Sequence, residues 1–132
     1  NFVQDNHAKS IKNTLRGLHF QVDEPQDKLV RCIKGKVYDV AVDIRENSLY
    51  KGNWIGVELS DENNNQLFIP SGFAHGYYVM SDYAEVVYKC STLYNPNNDH
   101  GIRWDDPEIG IKWPSKSPIL SEKDKQLPFI NF

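Results

Sequence analysis

Apolar and polar residues alternate with a period of two along much of this chain, the pattern of strands that bury one face. It is clearest over Lys36–Arg45. There Tyr38, Val40, Val42 and Ile44 share one face, and Val37, Asp39, Ala41 and Asp43 the other. Further strands are predicted over Thr14–Gln21, Leu29–Lys34, Trp54–Leu59, Gln66–Ile69, Gly76–Met80 and Ala84–Cys90, segments rich in β-branched and aromatic residues. Turn-forming runs separate them, including Asp23-Glu24-Pro25, Lys34-Gly35, Glu62-Asn63-Asn64-Asn65 and Pro70-Ser71-Gly72. Short strands at this spacing predict an all-β sandwich or barrel, and the lack of a long helical period argues against βαβ units. From Asn95 onward Pro96, Pro107, Pro114, Pro118 and Pro128 break the chain into irregular segments. One helical turn is expected to begin at Ser121 in Leu120-Ser121-Glu122-Lys123-Asp124.

Composition narrows the classes. The 132 residues are 39% hydrophobic, enough for one core and against disorder. With 15 basic and 18 acidic residues the net charge is −3 and no basic stripe stands out, so nucleic acid is not an expected partner. A small phosphate-bearing ligand needs only two or three well-placed Arg or Lys. No apolar run approaches a transmembrane length and no secretory leader is recognisable, so no membrane association is expected. Cys32 and Cys90 lie far apart and outside any CxxC, which reads as two free thiols in a reducing, cytoplasmic setting. The opening Asn1-Phe2-Val3-Gln4-Asp5-Asn6 reads as the middle of a domain.

Two of the four histidines stand in informative surroundings. His75 closes Pro70-Ser71-Gly72-Phe73-Ala74-His75, the PxGxxH form of one cupin motif. His19 lies in a predicted strand, in His19-Phe20-Gln21, where metal-binding cupins carry HxH. Gln in the second place leaves a poor site for zinc or non-haem iron, so no metal and no cofactor are expected. Each histidine can also be a structural one satisfied by a backbone carbonyl. His19 is flanked by the cations Arg16 and Lys28, a setting that suits a general base. Lys28 reads equally as a solvated strand-end charge and Tyr88 as a core aromatic. Asp124 has a plain alternative as well, because Ser121-Glu122-Lys123-Asp124 resembles a capping box.

Taken together, these segments resemble the dTDP-4-dehydrorhamnose 3,5-epimerase family over nearly the whole chain and in the same order. The resemblance is carried by Phe2-Val3-Gln4-Asp5-Asn6-His7, Leu15-Arg16-Gly17-Leu18-His19-Phe20-Gln21, Lys28-Leu29-Val30-Arg31 and Asp39-Val40-Ala41-Val42-Asp43-Ile44-Arg45. It continues through Gln66-Leu67-Phe68-Ile69-Pro70-Ser71-Gly72-Phe73-Ala74-His75-Gly76, Ala84-Glu85-Val86-Val87-Tyr88-Lys89, Gly101-Ile102-Arg103-Trp104 and Ile109-Gly110-Ile111-Lys112-Trp113-Pro114, ending at Leu120-Ser121-Glu122-Lys123-Asp124. The resemblance implies a single cupin-type jelly-roll domain over residues 1–132, lacking the family's N-terminal segment, and a homodimer. It implies action on a dTDP-4-keto-6-deoxy sugar, dTDP-4-dehydro-6-deoxy-D-glucose, inverted at C3 and C5. His19 would be the general base, oriented by Asp124, with Tyr88 the acid and Lys28 beside the developing enolate. Gln4, Asp5, Asn6, Arg16, His75, Asp99 and Lys123 would line the sugar–nucleotide site. Asp99 departs from the Glu usual at its position.

The chemistry fits those residue types. C3 and C5 both flank the C4 ketone, so loss of either hydrogen leaves a carbanion spread onto oxygen. A neutral His is a suitable base near neutral pH, and a carboxylate behind it fixes its tautomer. A cation stabilises the enolate, and inversion requires an acid on the opposite face. Three other readings share parts of this site: a single-carbon epimerase, a non-catalytic sugar-binding cupin and a metal-dependent cupin dioxygenase.

Overall fold

The computed structural model describes residues 1–131. Strands β1 (Gln4–Ile11), β2 (Leu15–Gln21), β3 (Lys28–Lys34), β4 (Lys36–Asp43), β5 (Trp54–Ser60), β6 (Gln66–Ile69), β7 (Phe73–Val79), β8 (Tyr83–Cys90) and β9 (Asp99–Gly101) precede one helical turn, α1 (Glu122–Lys125). They form two antiparallel sheets, ordered β1-β8-β3-β6 and β5-β4-β7-β2-β9. The result is an all-β, cupin-type jelly roll with an irregular C-terminal segment. No helix among the described residues is long and apolar enough to cross a membrane.

The alternation in β4 explains both layers of the core. Val37 and Ala41 face the interior, packed with Val30, Cys32, Ile69, Ala84 and Val86 of the opposing sheet. Tyr38, Val40, Val42 and Ile44 face the other way, onto Ile109, Ile111 and Trp113. The proline-broken C-terminal segment therefore covers the outer face of the five-stranded sheet, where each fully buried Val or Leu contributes about 1.5–3 kcal/mol. Buried Asp106 pins this cover, its carboxylate accepting from the backbone N–H groups of Glu108 at 2.8 Å and Ile130 at 2.6 Å.

Strand β1 was not anticipated by the hydrophobic pattern. Its period is two, but its less exposed positions are Gln4, Asn6, Ala8 and Ser10, and its exposed ones Asp5, His7, Lys9 and Ile11. Both faces are largely polar, so hydropathy sees no contrast. Its pairing sets Asn6 opposite Tyr88 and Gln4 opposite Cys90. Strand β7 begins at Phe73, ahead of the expected Gly76, and so carries His75 within the sheet.

A bulge in β2 aims the site. β2 pairs with β7 through Leu15–Tyr78 and Arg16–Tyr77, then shifts register so that His19 stands opposite His75. One extra residue on β2 accounts for the shift. Three residues apart on a regular strand, Arg16 and His19 would face opposite ways. The bulge sets both across from β7 residues that face the interior. Gly17 sits in it at φ +132°, and a Cβ there would stand 2.6 Å from the Gly76 Cα, so glycine is required.

Candidate active site

One end of the barrel interior is polar. Gln4, Asn6, His19, Phe20, Gln21, Gln26, Lys28, Tyr88, Cys90, Tyr94, Asp99 and Lys123 line a cavity of about 140 Å³ there. Both sheets and α1 contribute to its wall.

His19 meets Asp124 across this wall. Ser121 caps α1, its hydroxyl accepting from the Asp124 backbone N–H at 3.1 Å. The Asp124 carboxylate takes no part in that cap. Its Oδ1 lies 2.6 Å from His19 Nε2, and its Oδ2 accepts from the Gly17 N–H at 3.1 Å. Asp124 is only 3% exposed. Burial pushes its carboxyl up, but the hydrogen bond and charge of His19 and the Gly17 N–H outweigh that, and it settles below the usual carboxylate range. An ionised carboxylate only accepts, so His19 donates through Nε2–H and keeps Nδ1 as its basic atom.

Lys28 and Tyr88 stand on the opposing sheet. Lys28 is 9% exposed, and its Nζ lies 5.8 Å from the centroid of the Tyr88 ring. Burial draws the Lys28 ammonium below the ordinary lysine value, opposed by Cys90, Asp39 and Asp99. Burial likewise raises the Tyr88 phenol, with Arg16 pulling the other way. The phenol therefore keeps its proton at neutral pH and is available as a donor. Tyr94 donates its hydroxyl to Asp99 Oδ2 at 3.3 Å, and the same carboxylate pairs with Lys123, tying β9 to α1 at the cavity wall.

The fold thus gathers His19, Lys28, Tyr88, Gln4, Asn6, Asp99 and Lys123 around one cavity, with Asp124 behind His19. Three expected site residues are not part of the lining itself. Asp5, one residue out of phase with Gln4 and Asn6 on β1, is exposed and pairs with Lys89 at 2.8 Å. Arg16 holds Ser10 Oγ through its Nε at 3.0 Å and is not part of the cavity lining. His75 sits behind the lining, its Nε2 2.5 Å from Asp39 Oδ1. Gln26 and Cys90 line the cavity with no signal in the sequence that marked them.

Gln21, at the second place of His19-Phe20-Gln21, has a structural task. Its amide donates to the Glu24 carbonyl at 2.8 Å and accepts from the Asn95 N–H at 2.9 Å. Among the described residues no group of three or more His, Cys, Asp or Glu is placed to hold a metal ion.

The family model described as dTDP-4-dehydrorhamnose 3,5-epimerase matches residues 1–131. The chain is 59% identical over 128 residues to dTDP-4-dehydrorhamnose 3,5-epimerase of Escherichia coli K12, covering 96% of this chain and 69% of that protein. It superposes with a TM-score of 0.95 on the Legionella pneumophila dTDP-6-deoxy-D-glucose-3,5-epimerase solved with dTDP-4-keto-L-rhamnose, at 48% identity over 98% of this chain and 69% of the other. A 3′-monoepimerase from Streptomyces bikiniensis, solved with dTDP-quinovose, is more distant: TM-score 0.90, 34% identity, 97% of this chain and 66% of that one.

Proposed function

Because the chain belongs to the dTDP-4-dehydrorhamnose 3,5-epimerase family, we infer that it is an isomerase converting dTDP-4-dehydro-6-deoxy-D-glucose to dTDP-4-dehydro-L-rhamnose. Inversion occurs at C3 and C5. The observation that carries the mechanism is the His19–Asp124 pair on one wall of a cavity whose facing wall holds Lys28 and Tyr88.

In this reading His19 Nδ1 removes the proton next to the C4 ketone, and the C–H electron pair moves onto the ketone oxygen. Asp124 holds the imidazole in the required tautomer and stabilises the imidazolium that forms. The Lys28 ammonium lies beside the enolate oxygen, where a poorly solvated site strengthens its effect. The enolate pair then takes the Tyr88 proton at carbon from the opposite face; solvent reprotonates the Tyr88 phenolate, and the His19 imidazolium releases its proton to solvent before the second inversion. Gln4, Asn6, Asp99 and Lys123 bind the sugar–nucleotide. Asp99 and Lys123 pair with each other, so a ligand phosphate competes with Asp99 for the lysine.

A homodimer and a cytoplasmic setting belong to the same proposal. Exposed Tyr50, Ile55 and Phe68 border a separate, largely apolar cavity of about 380 Å³, which supports contact with a second copy. Two buried free thiols, Cys32 and Cys90, support a reducing compartment.

The test is turnover of dTDP-4-dehydro-6-deoxy-D-glucose in deuterium oxide, followed by NMR. Deuterium at C3 and C5 with inversion at both supports the double epimerase. Exchange and inversion at one carbon would make the protein a monoepimerase, and no exchange would remove the catalytic reading.

A further inference from the structure

The interior holds a second Asp–His pair that the mechanism above does not use. Asp39, on β4, is fully buried. Its Oδ1 accepts from His75 Nε2 at 2.5 Å, and its Oδ2 has no hydrogen-bond partner among the described residues. His75, on β7, is buried as well. Burial pushes it toward its neutral form, opposed by Asp39 and reinforced by the charges of Lys28 and His19. A neutral imidazole leaves the Asp39 charge uncompensated.

Lys28 presents the opposite deficit. It is nine-tenths buried, yet among the described residues it makes no ion pair. The two deficits lie around one aromatic ring. His75 meets Tyr88 edge-on with ring centroids 6.4 Å apart, and Lys28 Nζ lies 5.8 Å from the centroid of the same ring. A lone buried charge of either sign is strongly disfavoured, whereas opposite charges in one low-dielectric interior offset each other.

We propose that Asp39, held by His75, is the interior counter-charge of the Lys28 ammonium and so a positioning residue for epimerisation. The inference rests on the reading of Lys28 as the cation beside the enolate. Other groups near Lys28 serve this purpose less well. Asp99 on β9 is already paired with Lys123 of α1. Burial raises both the Cys90 thiol and the Tyr88 phenol on β8, leaving them uncharged at neutral pH. On β2, Arg16 and His19 bring no negative charge, and Asp124 is bonded to His19. Tyr77 on β7 is pushed up to about 12, chiefly by burial. Among the described residues near Lys28, Asp39 remains as the carboxylate without a Lys or Arg partner.

Asp39→Asn tests this while keeping the side chain's shape. The ε-carbons of lysine, labelled with carbon-13, report titration by NMR, and Lys28→Met identifies the signal. Removing the negative charge weakens the hold on the proton, so the Lys28 titration should move to lower pH in Asp39→Asn. The alkaline limb of kcat/KM should move by the same interval. Above the new midpoint, each pH unit of displacement costs about tenfold in charged lysine. Asp39→Glu should restore part of the displacement. An unmoved Lys28 titration in folded Asp39→Asn would overturn the proposal, even if activity fell. Should Asp39→Asn not fold, the unaltered protein decides: Lys28 charged at neutral pH is expected, and a neutral Lys28 amine there overturns the proposal. A displaced titration alongside normal turnover by Lys28→Met would instead retire the enolate role of Lys28 and leave the counter-charge standing.

Discussion

Asp124→Asn separates a catalytic dyad from a helix cap. The Ser121 cap bonds the backbone N–H of residue 124 and survives the substitution. The carboxylate does not survive it, and it accepts two donors, His19 Nε2–H and Gly17 N–H. Asn has one acceptor oxygen and one donor nitrogen, so it cannot serve both. If the oxygen keeps Gly17, the amide N–H faces His19 Nε2 and forces the proton onto Nδ1, the atom required as base. If the oxygen keeps His19, the Gly17 N–H is left facing a donor in a buried site, costing about 1–3 kcal/mol. The first outcome should lower kcat by about 10³–10⁴, the scale of tautomer loss in His–Asp pairs. In either case stability should fall by no more than about 3 kcal/mol. The pH sign follows from the depressed Asp124 value. Its stabilisation is present above the unfolded carboxylate pKa of about 3.9 and fades as pH falls through the lower folded value, so the stability gap between variant and parent should close in acid. NMR-monitored turnover and thermal melts from neutral to acid pH make the test. A folded Asp124→Asn protein with near-normal kcat would refute the dyad.

Tyr88→Phe keeps the ring against Lys28 and removes the hydroxyl, so deuterium should still enter at C3 and C5 with retained configuration while inversion falls sharply. Inversion of C5 at the parent rate, read by NMR, would make Tyr88 a packing residue and direct attention to Tyr94. Exhaustive chelation should leave turnover unchanged; activity that disappears and returns only with zinc, iron or manganese would contradict the metal-free mechanism.

What the sequence disclosed follows from what hydropathy can register. β4 was legible on both faces because Tyr38, Val40, Val42 and Ile44 are buried beneath the C-terminal cover, while Val37 and Ala41 enter the interior. β1 was invisible because its inward positions, Gln4 and Asn6, are polar for the sake of the cavity. Asp5 stands apart from the cavity lining for a related reason: neighbouring residues of a contiguous motif on a strand face opposite ways. Asp124 was ambiguous because its residue type suits both a capping box and a dyad. The ambiguity lifts only when the fold gives the cap to Ser121 and brings a carboxylate 105 positions away in the chain to His19. The Gly17 bulge was also hidden, since nothing local marks a register shift that depends on the close approach of Gly76. Asp39 looked like one more alternating strand position. Only burial and an unsatisfied oxygen distinguish it.

The central claim is that one base, His19, serves the positions flanking the ketone. Its direct test is hydrogen–deuterium exchange at C3 and C5 of dTDP-4-dehydro-6-deoxy-D-glucose by His19→Ala, measured by NMR in deuterium oxide on protein shown to be folded. Exchange and inversion at both carbons should fall together, by at least about 10²–10⁴, because without the base no enolate forms for Tyr88 to protonate. Exchange near the parent rate at either carbon would contradict it and place the base on another residue.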